Sequence, residues 1–156
     1  MKKMLKENKG FSLVELLIAL LIMAVIAGTA ITLFGGVLDS SKVGADRETA
    51  EAIKRAILTY MNATNDTDFS CIEITTTNDS NELIAKLAAK VTIDASTTGA
   101  DANDLHGTYG PFLEDPNVVP QQTGKTGWDI NIIIDSQIIE VQAGSNQLTI
   151  SSTSST

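Results

Sequence analysis

Gly10-Phe11-Ser12-Leu13-Val14-Glu15-Leu16-Leu17-Ile18-Ala19-Leu20-Leu21-Ile22-Met23-Ala24-Val25-Ile26-Ala27-Gly28 is the stretch on which the reading of this chain turns. From Leu16 to Leu38 no residue is charged, and Thr29 and Thr32 carry the only polar side chains. As a helix this run is about 35 Å long, enough to cross the roughly 30 Å hydrocarbon core of a bilayer. Glu15 is the anomaly. A charge deep in a spanning helix costs about 2.5–3.5 kcal/mol, and less near its end. Such a carboxylate calls for a partner, and the apolar run offers none.

Ahead of the run, Lys2, Lys3, Lys6 and Lys9 face a single acid, Glu7. Positive flanks stay cytoplasmic, which places the leader inside and the C-terminal part outside. Three readings compete. In a plain single-pass anchor, Glu15 sits among the headgroups. In a secretory signal peptide, Ala27-Gly28-Thr29-Ala30 offers small residues at a cut site, but the apolar run exceeds the usual 7–15 residues and continues past that cut.

The third reading explains the acid. The string Lys9-Gly10-Phe11-Ser12-Leu13-Val14-Glu15, running on into the apolar stretch, resembles the N-terminus of type IV prepilins and pseudopilins. The resemblance implies that a prepilin peptidase cuts between Gly10 and Phe11 on the cytoplasmic side, and that Phe11 becomes the N-methylated first residue. It also implies that Glu15 serves filament assembly by pairing with the terminal amine of a neighbouring subunit. Opposite charges roughly 4 Å apart attract by several kcal/mol at an effective dielectric near 20.

The chain has 156 residues and a formal charge of −8. Removing residues 1–10 leaves 7 basic and 18 acidic residues, a net charge of −11. An acidic exterior repels phosphate backbones, so the head is a poor candidate for general nucleic-acid binding. Cys71 is the sole cysteine, which forbids an intramolecular disulfide and suits a small buried hydrophobe. Many type IV pilins close a C-terminal loop with a disulfide. This chain departs from them, leaving calcium or packing alone to hold its C-terminal region.

Gly28, Gly35 and Gly36 each cost about 1 kcal/mol of helix stability relative to alanine. They serve either close packing between membrane helices or a loosening of this stretch during assembly. Beyond them Val43, Ala50, Ile53, Ala56, Ile57, Tyr60 and Met61 recur mostly at three- and four-residue steps between charged residues. One helix from about Ser12 to Ala63 is predicted, roughly 75–80 Å long. The expected organisation is a leader over 1–10, a long helix over 11–63 with 16–38 spanning the membrane, and a head over 64–156.

Asn62 to Asp68 reads as a helix-breaking turn and Phe69 to Thr75 as a short extended piece. A second helix is predicted over Ser80 to Val91, capped by Ser80 or Asn81, with Glu82 in its first turn and Leu83, Ile84, Leu87, Ala88 and Val91 as its apolar stripe. Asp94 to Asn103 reads as a loop. Tyr109-Gly110-Pro111-Phe112-Leu113, followed by Pro116 and Pro120, resembles a turn-rich stretch before the sheet of major pseudopilins, and Tyr109, Phe112 and Leu113 are expected to pack beneath it.

Trp128, Ile130, Ile132 and Ile134 alternate with Asp129, Asn131 and Asp135, Ile133 being the exception. Asp135-Ser136 is a candidate tight turn. Ile138–Ala143 and Gln147–Ser151 give two further strands around Gly144-Ser145-Asn146. The fold class is α+β: a pilin-like long N-terminal helix packed on a small head of three antiparallel strands, with a frayed tail over 151–156.

No catalytic constellation is present. His106 lies in a polar loop without the Cys or second His that zinc requires. There is no P-loop, no G-x-S-x-G string and no dinucleotide fingerprint. Asn65-Asp66-Thr67-Asp68 and Asp101-Ala102-Asn103-Asp104 offer oxygen ligands for calcium, but neither has EF-hand spacing and both read as solvated turns. No metal or cofactor is therefore assigned, and the Asn62 and Asn65 sequons carry no weight without a glycosylating host.

The function expected from the resemblance is a non-enzymatic structural subunit of a type IV pilus filament serving adhesion, motility or a surface role. Its partners are copies of itself in a helical filament, other pilins, prepilin peptidase and the inner-membrane assembly machinery. The precursor belongs to the cytoplasmic membrane and the filament to the cell surface. A major pseudopilin of a type II secretion or competence pseudopilus is the alternative. Outside the family, the rival is a membrane-anchored acidic binding module that does not polymerise.

Overall fold

The structure, a computed structural model, describes residues 10–74 and 78–152. The leader over 1–9, the end of the extended piece expected up to Thr75, and the tail beyond Ser152 lie outside them. Helix α1 runs from Leu13 to Thr64. The chain divides into two compact units between Ser40 and Ser41.

In the second unit α1 is amphipathic. Asp46, Ala50, Ile53, Ala56, Ile57, Tyr60, Met61 and Thr64 form its buried stripe, at the three- and four-residue steps that keep side chains on one face. After Thr64 come a 3-10 turn over Ser70–Ile72, helix α2 over Ser80–Ala88, and strands β1 (Val91–Ile93), β2 (Gly107–Tyr109), β3 (Gly127–Ile133), β4 (Ile138–Gly144) and β5 (Leu148–Ser151). The core joins the α1 stripe to Leu83, Ile84 and Leu87 of α2, Val91 and Ile93 of β1, and Trp128, Ile130, Ile132, Ile139 and Leu148 of the larger sheet. The fold is α+β, as expected, but the sheet differs from the expectation.

β4 pairs with β3 antiparallel, while β5 pairs with β3 in parallel. The order is β4-β3-β5, so the three strands are not all antiparallel. Gly144-Ser145-Asn146 is not a hairpin turn but a crossover past the start of β3 to its other edge. The Asp129 carboxylate fastens it, accepting the Ser145 and Gln147 amides at 2.8 and 3.2 Å. A Cβ on Gly144 would overlap that carboxylate, and one on Gly127 would lie 2.5 Å from the Asn146 Cβ. Glycine at both positions lets the backbone pass. Parallel partners need a connection of a dozen or more residues, and here β4 itself supplies that length.

Other departures are local. α2 stops at Ala88 and Val91 opens β1, because the β-branched run Val91-Thr92-Ile93 suits a strand paired with Gly107–Tyr109. The cap of α2 is Asp79, whose carboxylate accepts the Asn81 amide at 2.9 Å, rather than Ser80 or Asn81. Ser80 turns inward instead, donating to the Trp128 carbonyl at 2.5 Å. Phe69 to Ile74 is not extended: Phe69 and Glu73 take left-handed φ values of 62° and 44° on either side of the 3-10 turn. Ile134 belongs to the turn after β3, where Gln137 donates back to its carbonyl at 3.1 Å. Tyr109, Phe112 and Leu113 are half-buried against the core. The Phe112 and Leu113 amides close α2 by donating to the Leu87 carbonyl at 2.8 and 3.2 Å.

Candidate functional site

The N-terminal site is built on the first turn of α1. Gly10, Phe11 and Ser12 precede the helix, and the Ser12 carbonyl accepts the Leu16 amide at 3.2 Å. Phe11 is 83 % exposed. Glu15 sits in the first turn, where the positive end of the helix dipole favours a carboxylate. It makes no hydrogen bond or ion pair among the described residues. Gly10, Phe11 and Glu15 therefore fall within six consecutive residues and are all exposed.

From Gly10 to Leu38 every residue is exposed except half-buried Ala30. The helix is long and apolar enough to cross a membrane. The two polar side chains in the run are satisfied within the helix: the Thr29 hydroxyl donates to the Ile26 carbonyl at 3.0 Å and that of Thr32 to the Thr29 carbonyl at 2.8 Å. Neither needs water, which suits a lipid or protein surround. Gly28, Gly35 and Gly36 are helical in this single chain, with open space where a Cβ would stand.

A second cluster lies in the head. The two acid–amide stretches converge on one point: the Asn65 side chain donates to the Asn103 carbonyl at 2.9 Å and the Leu105 amide to the Thr64 carbonyl at 2.7 Å. The ligand atoms of Asp66, Cys71 and Asp104 lie within 4.8 Å of one another. These groups already have protein partners. Asp66 accepts the Tyr60 hydroxyl and the Ser70 and Cys71 amides, the last two at 3.2 and 3.1 Å. Asp104 accepts the Cys71 thiol at 3.3 Å and the Asp101 amide at 2.7 Å.

Burial pushes the Asp66 carboxyl above the usual aspartate range, against the Tyr60 hydrogen bond, and Asp68 adds to the rise. Burial together with Asp66 raises the Tyr60 phenol as well. The Cys71 thiol is pushed up to about 12 by burial and then by Asp104 and Asp66. A thiol so protonated is a poor nucleophile, so Cys71 acts as the buried small residue expected. The cluster is a latch that fixes the chain leaving α1. The pairing of Tyr60 with Asp66 has no signature in the sequence, since Tyr60 lies in α1 and Asp66 beyond its end, and no one periodicity relates the two. His106 is exposed in its loop.

No curated protein and no solved structure matches this chain. Residues 5–31 match the family model described as the prokaryotic N-terminal methylation motif, and the chain thus carries a type IV prepilin-like processing signal.

Proposed function

We propose that this chain is the structural subunit of a type IV pilus filament, cut between Gly10 and Phe11, N-methylated on Phe11, and polymerised through α1. One observation carries the reading: the methylation motif opens directly into an apolar run that the chain itself leaves exposed on all sides. Such a surface needs lipid before assembly and other helices after it. Moving from lipid into a helix bundle gains little hydrophobic energy, so packing and polar pairing must set the register. Glu15, exposed in the first turn of α1, is the group placed to pair with the free amine that cleavage creates at Phe11 of a neighbouring copy.

The likeness of Tyr109-Gly110-Pro111-Phe112-Leu113 to the turn-rich stretch of major pseudopilins supports a major pseudopilin of a type II secretion or competence pseudopilus as the second reading. Both readings require the same maturation. Intact mass and N-terminal sequence of the protein from its native host test it: a chain beginning at methylated Phe11 is the expected result. A chain beginning at Met1, or near Ile31, would leave an anchored or secreted domain in its place. Purification of the assembled fibre, and its loss on deleting secretion rather than pilus genes, separates the two filament roles.

A further inference from the structure

Within the second unit, α1 carries a charged face that its own chain leaves uncovered. Arg47, Glu51 and Arg55 are exposed there, on the side away from the buried stripe, and Glu48 and Lys54 flank the row. Glu51 stands four residues from each arginine, the spacing at which opposite charges on one helix meet. Even so, Arg47, Glu51 and Arg55 make no side-chain hydrogen bond or ion pair among the described residues. Arg55 also lines a groove with Glu114 and Asp115 and pairs with neither. These two are the chain's only arginines.

Gly44 continues the same face one turn earlier, since 44, 47, 51 and 55 succeed one another at steps of three and four. It is exposed, and a Cβ there would meet open space. Nothing within the chain calls for a glycine, which costs about 1 kcal/mol in a helix interior relative to alanine. What a missing Cβ permits is the close approach of another backbone. A glycine uncrowded by its own chain and three charges without partners in it point to the same thing, a helix from outside.

The signs of the row identify that helix. Along the face they read plus, minus, plus at intervals of four residues, so the face complements itself once it is displaced by four residues, about 6 Å. Parallel and undisplaced, arginine would oppose arginine and glutamate would oppose glutamate. A filament built by one repeated screw operation points all copies the same way, which selects the parallel, displaced arrangement. Contacts of this kind continue from copy to copy without closing. In the sequence Phe11 and Glu15, the groups paired across copies above, are also four residues apart. We infer that the exposed face of α1 from Gly44 to Arg55 is the seam on which a second copy's α1 lies, parallel and displaced by four residues, each Glu51 taking Arg47 of one neighbour and Arg55 of the other. The inference deepens the filament reading and rests on it.

The test is made on filaments from the native host, with N-terminal sequence and filament yield read for each full-length variant. Glu51→Arg, which leaves three cations in a row, is expected to abolish filaments. The triple variant Arg47→Glu, Glu51→Arg and Arg55→Glu inverts every sign, keeps the alternation, and is expected to restore them. Gly44→Leu is expected to lower the yield while the head melts no earlier than the parent's. Arg47→Cys with Glu51→Cys removes one attraction without adding a repulsion, and oxidation is expected to link its chains into a ladder that extends beyond dimers. Buried Cys71 gives no cross-link, which the unsubstituted chain checks, and Arg47→Cys alone is expected to give none. Parental yield from Glu51→Arg or Gly44→Leu, or a triple variant as deficient as Glu51→Arg, overturns the seam. So do cross-links that stop at dimers, which mark a two-fold pair, and filaments of the double-cysteine chain that give no cross-link. In each of these cases a chain beginning at methylated Phe11 keeps the filament reading in place. A parent chain that begins at Met1 and forms no filament refutes that reading, and the seam with it.

Discussion

Ile18 and Ile57 are the same residue in the same helix, yet Ile18 is 51 % exposed and Ile57 is fully buried. The first lies in a segment that is apolar all round, the second on the apolar stripe of a segment whose other face is charged. A stripe finds its cover in its own chain, because one head can shield one face. A helix apolar on every side cannot be shielded so, and it requires lipid or other copies. The same helix therefore folds a head at one end and prescribes an external partner at the other.

The contrast breaks first, and most visibly, in a matched pair of substitutions. Ile57→Ala is expected to destabilise the head by about 2–5 kcal/mol through lost burial and the cavity left behind, whereas Ile18→Ala leaves the head's denaturation midpoint where it was. Comparable shifts for both would mean that the two regions fold as one cooperative body. Gly144→Ala comes next, at about 1–3 kcal/mol, because its methyl displaces Asp129 from the crossover amides. A variant that melts like the parent would remove the steric account of that passage.

Asp66→Asn is expected to cost about 1–2 kcal/mol near neutral pH, since the amide oxygen still accepts from Tyr60 and Cys71 but its NH2 meets the Ser70 N–H with a donor of its own. The effect also has a sign with pH. Burial raises the Asp66 carboxyl, so the folded head holds that proton more tightly than the unfolded chain. The contribution is absent above the raised value, grows as pH falls through it, and is complete below the ordinary aspartate value of about 3.9. Melting curves should show the gap between parent and Asn variant widening on acidification, and a narrowing gap would refute the assignment. The smallest effect on the head is expected from Glu15→Ala, within about 0.5 kcal/mol. That variant should insert in the membrane normally yet give few filaments. Filaments at the parental yield would rule out pairing through Glu15.

Legibility followed the range of the interactions. The long helix was readable from an uncharged run followed by a three-and-four-residue stripe, both local patterns. The β-strands were readable from alternation around Trp128, Ile130 and Ile132. Their partners were not, because alternation assigns a face and says nothing of direction. The parallel pairing of β5 depends on Asp129 receiving the amides of Ser145 and Gln147, sixteen and eighteen residues away, and on the absence of side chains at Gly127 and Gly144. Val91 differs for a related reason: it fits the apolar stripe of α2, and only pairing with Tyr109 draws it into β1.

By itself, then, the sequence determined the segment from Gly10 to Leu38: where a processing signal stands, where Glu15 falls, and that the run beyond must be covered by something other than this chain. Those properties depend on residues next to one another and on their transfer between water and lipid. Tertiary structure alone decided the direction of β5, the convergence of Asp66, Cys71 and Asp104, and the seating of the Gln121 and Gln122 amides on the Asp46 carboxylate. Each joins groups far apart in sequence, where buried amides and carboxylates must find partners and only the folded chain offers them.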